Sequence, residues 1–101
     1  MRQGSDATPV HELQNLGPAS AAMLAELGIT TRADLERVGP VLAYRALQDM
    51  RPGMSLNLLW AMHGALTEER WDRLSAETRE RLKREVAEAA DVPPHVERPH
   101  R

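Results

Sequence analysis

Residues 15–40, NLGPASAAMLAELGITTRADLERVGP, carry the reading of the fold. Gly17 and Pro18 stop one helix and start the next, because proline at a first helical position gives up no needed N–H. Ala19 to Leu27 is nearly all Ala, Leu and Met, with only Ser20 and Glu26 polar, and Gly28 then ends the run as a C′ glycine. Thr31 caps a further helix with Asp34 three residues on, in a capping-box arrangement. Gly39–Pro40 repeats the stop–start device. Short helices joined by minimal turns follow from this punctuation alone.

Working outward, the same grammar holds. Pro9 starts a short helix running through Val10, Leu13 and Leu16. Past Pro40, a helix is expected over Val41 to Met50, closed by Pro52–Gly53. Ser55 caps Leu56 to Leu66, a segment apolar almost all round and therefore expected to be the central buried helix. Thr67 or Glu68 begins a short turn containing Trp71. Ser75 caps a last helix to about Ala90, with Glu77 at its positive end. Leu74, Leu82, Val86 and Ala90 make a narrow apolar stripe there, and Glu77–Arg81, Glu80–Arg84, Arg81–Glu85 and Arg84–Glu88 are i,i+4 pairs on the solvated side. No segment alternates with period two, so no strand is expected. The fold class is all-α: a compact bundle of five to seven short helices.

Composition bounds the function. In 101 residues there is no cysteine, which excludes disulfides, thiol catalysis and thiolate metal sites. The net charge of −2 disfavours a globally basic nucleic-acid binder. No apolar run reaches the ~18 residues of a membrane span, and the polar N-terminus has no signal core, so a cytoplasmic protein is expected. Residues 1–8 and the proline-rich 91–101 read as disordered ends flanking one domain over 9–90. His95 and His100 fall in that tail. His11 and Glu12 are adjacent and point apart, His63 has no second ligand nearby, and Walker, dinucleotide and nucleophile-elbow motifs are absent. A non-enzymatic protein without metal, cofactor or small-molecule substrate is expected. Asn57, on the apolar helix, reads as a buried amide locking a helix end. Trp60 and Trp71 read as core and edge-of-core residues. Met50 and Met54, if exposed around Arg51–Pro52–Gly53, would belong to a self-association surface.

Asn15 to Leu24, continued by Leu27 to Leu35, resembles a helix-hairpin-helix element. In that motif a glycine-rich hairpin presents backbone N–H groups at a helix start, where a phosphate can bind. Asn15 stands where the first hairpin glycine usually sits, and asparagine tolerates positive φ. No Lys or Arg lies between Ala19 and Gly28. The hairpin therefore has two uses: packing helices, or holding a phosphate through Gly17 and the amides of Ala19 and Ser20, with Arg32 or Arg37 nearby.

A wider pattern is more specific. Leu13-Gln14-Asn15-Leu16-Gly17-Pro18-Ala19-Ser20, Leu27-Gly28-Ile29-Thr30-Thr31, Asp34-Leu35, Val38-Gly39-Pro40-Val41, Ala43-Tyr44, Ser55-Leu56-Asn57-Leu58-Leu59-Trp60-Ala61 and Gly64-Ala65-Leu66 together resemble the C-terminal domain of the TfoX (Sxy) family, bacterial regulators associated with natural competence. The resemblance covers roughly residues 10 to 85. Better-known members carry an N-terminal domain ahead of this one. Only eight residues precede Pro9 here, so a stand-alone form is expected. The resemblance implies a regulatory or interaction module that binds a protein partner or itself. The alternative is weak, sequence-independent DNA binding through the Asn15–Ser20 hairpin.

Overall fold

The computed structural model describes residues 7–90. Of the expected disordered ends, 1–6 and 91–101 lie outside the described residues. Five α-helices form: α1 (Pro18–Ala25), α2 (Arg32–Val38), α3 (Pro40–Met50), α4 (Leu56–Thr67) and α5 (Ala76–Ala90). Two 3-10 turns, Val10–Glu12 and Trp71–Arg73, complete the order. The described residues contain no strand, only an isolated antiparallel bridge between Pro9 and Thr31.

The local signals act where the sequence places them. Thr31 Oγ1 accepts the Asp34 N–H at 3.3 Å, and Asp34 Oδ2 accepts the Thr31 N–H at 3.3 Å, closing the capping box. Asp34 also accepts the Thr30 N–H at 3.0 Å and the Arg37 guanidinium at 2.9 Å. These donors, Thr30 first and Arg37 next, hold the Asp34 carboxyl well below the usual carboxylate range. Ser55 Oγ accepts the Asn57 N–H at 3.0 Å, and Ser75 Oγ accepts the Thr78 N–H at 3.0 Å. Pro18 and Pro40 open α1 and α3. Gly39, at φ 88°, is at once the end of α2 and the start of α3. α1 ends two residues before the expected Leu27, because the Leu27 and Gly28 N–H groups tighten onto Leu24 O and Ala25 O.

One expected helix is reduced. The segment from Pro9 through Leu16 keeps a single 3-10 turn at Val10–Glu12, and Leu13 is already extended at ψ 151°. The Val10 N–H is taken by Thr30 O, and the Arg32 N–H by Thr8 O, so the segment is held straight alongside the start of α2. Asn15 then turns the chain at φ 74°. The hairpin's first limb is therefore one turn of 3-10 helix.

Packing follows the faces. In α4, Leu58 to Met62, Gly64 and Ala65 are buried, as expected for the central helix. Leu59 and Met62 are fully enclosed, together with Leu24, Ile29, Leu35, Leu47 and Tyr44. α3 packs against α1, α2, α4 and α5. The Tyr44 hydroxyl donates to Met54 O at 2.7 Å and fixes the linker between α3 and α4. α5 lies on the outside of α3 with Leu82 and Val86 buried, while the Arg79 guanidinium sits 5.6 Å over the Trp60 ring. Of the four expected i,i+4 pairs on α5, Arg81–Glu85 forms at 3.7 Å. Lys83 takes Glu80 at i,i+3 instead. Exposed long side chains gain little from holding one partner over another.

Glu68 follows α4 in the left-handed region, at φ 65°. A residue with a Cβ is strained there by about 1–2 kcal/mol, and glycine is not. Glu68→Gly is expected to raise stability by about 0.5–1 kcal/mol after its extra unfolded-state entropy is subtracted. A urea titration with an unchanged slope checks this.

Candidate functional site

Residues of α1 and α4 line a shared groove of about 330 Å³. Ser20 and Met23 line it from α1, and Asn57, Leu58 and Ala61 from α4. Met54 and Ser55 enter from the linker, Trp71 from the 3-10 turn, and Asn15 from the hairpin. None of these side chains is charged. Trp71 is 39% exposed, and Leu56, between two lining residues, is 38% exposed. Met50, just before the linker, is exposed as well. Trp71, Leu56 and Met50 thus leave apolar surface in water at or near the groove.

Asn15 holds this arrangement together. Its Nδ2 donates to Glu69 O at 2.7 Å and, more loosely, to Ala61 O at 3.5 Å. Its Oδ1 accepts the Trp71 N–H at 3.1 Å. The side chain thus spans from the hairpin to the turn after α4. Gly64 makes room for it: a Cβ there would lie 2.5 Å from Asn15 Nδ2 and inside contact distance of Glu69 O. Asn57, expected to be the buried lock, is exposed in the first turn of α4. Only its backbone N–H is used, by Ser55. Position 57 lies in the exposed first turn of α4, so the amide stays in water.

The sequence-predicted phosphate residues are divided between places. Asn15 and Ser20 reach the groove. Gly17 precedes α1 in extended backbone and offers no side-chain cap to the first-turn amides, including those of Ala19 and Ser20. The two arginines do not line the groove. Arg32 donates to Leu66 O at 3.0 Å and to Glu36 at 3.2 Å, tying α2 to the end of α4. Arg37 is bound to Asp34. The apolar wall formed by Met23, Leu58 and Ala61 was missed by sequence reasoning. Its one visible signal is Trp71, a lone aromatic in the charged run Glu68-Glu69-Arg70-Trp71-Asp72-Arg73.

His63 is half-buried on α4. Burial pushes its pKa down, Arg81 adds to this, and Glu69 and Glu85 oppose it. The unfolded chain therefore binds the His63 proton more readily than the folded one. This contribution to stability is complete above about pH 6.5 and is lost as pH falls through the lower folded value. His63→Gln is expected to flatten the pH dependence of the melting temperature in that window relative to wild type.

Fold and groove together define a small all-helical domain built around an uncharged, partly apolar cleft. The TfoX C-terminal domain model matches residues 7–86, and the chain belongs to that family. Membership points to a regulatory or interaction module. A crystal structure of an uncharacterized protein from Listeria monocytogenes, in a triclinic form, is similar with a TM-score of 0.73 and 25% identity, over 82% of this chain and 94% of that one. No curated protein matches the chain. No group of His, Asp or Glu among the described residues could hold a metal ion, and no helix there is long and apolar enough to cross a membrane.

Proposed function

We propose that the domain is a non-catalytic docking module that takes a polypeptide partner, or a second copy of itself, in the groove between α1 and α4. The observation that carries this is the lining: Met23, Met54, Leu58, Ala61 and Trp71 with neutral hydroxyls and amides at the rim, and no formal charge. Such a surface suits apolar anchors and peptide amides. A phosphate backbone calls for cations, and Arg32 and Arg37 are engaged with a carbonyl and with carboxylates.

The test is a selection of linear peptides on the folded domain, read against Trp71→Ala and Met23→Glu. Enriched sequences should be rich in apolar side chains, poor in charge, and bound by wild type but by neither variant. Peptides that bind all three proteins equally, or no enrichment with no self-association by sedimentation, would sink the proposal. A second arm uses fluorescence anisotropy of a labelled duplex and a labelled single strand at low and moderate salt. The first-turn amides of α1, which Gly17 leaves uncapped, favour that reading. Salt-sensitive binding removed by Gly17→Asp would move the function to the hairpin.

A further inference from the structure

We infer that Asn15 is the positioning residue of the groove: its amide sets where Trp71 stands, so the width of the cleft is controlled from the hairpin. The functional meaning of this rests on the docking role proposed above. The geometry does not.

The Trp71 segment packs against α4 and is closed by one backbone bond of its own, Arg73 N–H to Arg70 O at 2.9 Å. It is a three-residue 3-10 turn with no buried residue. Its backbone is tied at Trp71 N–H to Asn15 Oδ1, and at Trp71 O to Arg79 by a longer bond of 3.4 Å. The other half of the Asn15 amide grips Glu69 O, two residues upstream, at 2.7 Å. One planar group thus fixes two points of the same turn in fixed relation. A donor and an acceptor are both needed, which a carboxylate does not supply. Asn15 itself cannot drift, because it is wedged against Gly64, where even a Cβ would collide. Asn15 and Trp71 line the same groove.

Backbone and side chain can be separated experimentally. At φ 74° glycine is at ease, so Asn15→Gly keeps the turn and removes the clasp. Methyl NMR gives the readout: Met23 and Met54 line the same groove as Trp71, while Met62 is enclosed in the core and serves as the internal reference. In Asn15→Gly the Met23 and Met54 methyl resonances should move toward their positions in Trp71→Leu, with Met62 unmoved. Hydrogen exchange at the Trp71 amide should rise by about tenfold, the loss of one hydrogen bond. A purely structural Asn15 would lower the melting temperature and leave the two groove methyls in place. That result, or wild-type protection at Trp71, overturns the inference. Were Asn15→Gly not to melt cooperatively, Asn15→Asp decides: it keeps the acceptor for Trp71 and loses the donor to Glu69, and unmoved groove methyls there are equally fatal. If the peptide selection fails while the methyl shifts appear, docking is lost and the positioning role of Asn15 stands.

Discussion

Gly64→Ala is expected to lower the melting temperature by about 15 °C, a large effect for adding one methyl group. Helix propensity alone favours alanine by about 1 kcal/mol. Sterics run the other way. The new Cβ meets Glu69 O, a backbone atom, and lies 2.5 Å from Asn15 Nδ2. Glu69 cannot retreat cheaply, since its N–H is bonded to Gly64 O at 2.9 Å in the turn that ends α4. Overpacking of this kind costs up to about 3 kcal/mol, and each displaced Asn15 hydrogen bond adds about 1 kcal/mol. The net loss is about 3 kcal/mol, and a domain of this size shifts by about 4–8 °C per kcal/mol. In an Asn15→Gly background the same change should cost less than it does in wild type, because one collision partner is gone. Thermal melts of the two single variants and the double variant check both statements. Strict additivity would mean that the two residues do not share a site.

Leu59→Ala is the second large effect. Leu59 is fully buried at the fourth position of α4. Removing a buried leucine to the β-carbon costs about 2–5 kcal/mol, the upper part of the range applying where neighbours cannot collapse into the space. It belongs to one core with Leu24, Leu35, Leu47 and Met62, all fully enclosed on several helices, so about 3–4 kcal/mol is expected. A domain this small holds in total about 4–12 kcal/mol. The variant should therefore unfold at a much lower urea concentration with an unchanged slope. Leu42→Ala, on the outer face of α3 and 56% exposed, is the control and should stay within about 0.5 kcal/mol of wild type. Equal effects at the two positions would contradict the packing described here.

What could be read from the sequence is what is decided within a few residues. Thr31 with Asp34, Ser55, Ser75, and the Gly–Pro pairs at 17–18 and 39–40 act on their own neighbours, so cap and boundary follow from spacing. The burial of α4 is likewise written in its apolar run. The two asparagines show the opposite case. Both stand directly beside a leucine in sequence. Asn15 finds its partners 54 and 56 residues away, while Asn57 meets water. Nothing within a local window separates them. Arg32 is similar: its bond to Leu66 O crosses 34 residues and ties α2 to the end of α4, a tie that no local spacing announces. The groove exists only once α1, the linker and the turn at Trp71 meet, which is why its apolar wall was the hardest part to foresee.

The joint at Gly39 has a consequence for where the chain tolerates a change of length. With a single residue between α2 and α3, there is no slack to absorb an insertion. One added residue continuing the helix would rotate everything after it by about 100°, carrying Ala43, Tyr44 and Leu47 off the core together. The stretch from Arg51 to Ser55 is exposed apart from Met54, and extra residues there extend a loop without altering the phase of either helix. Tags, labels or grafted peptides therefore belong at 51–53, where they would also stand beside the groove and report on what enters it.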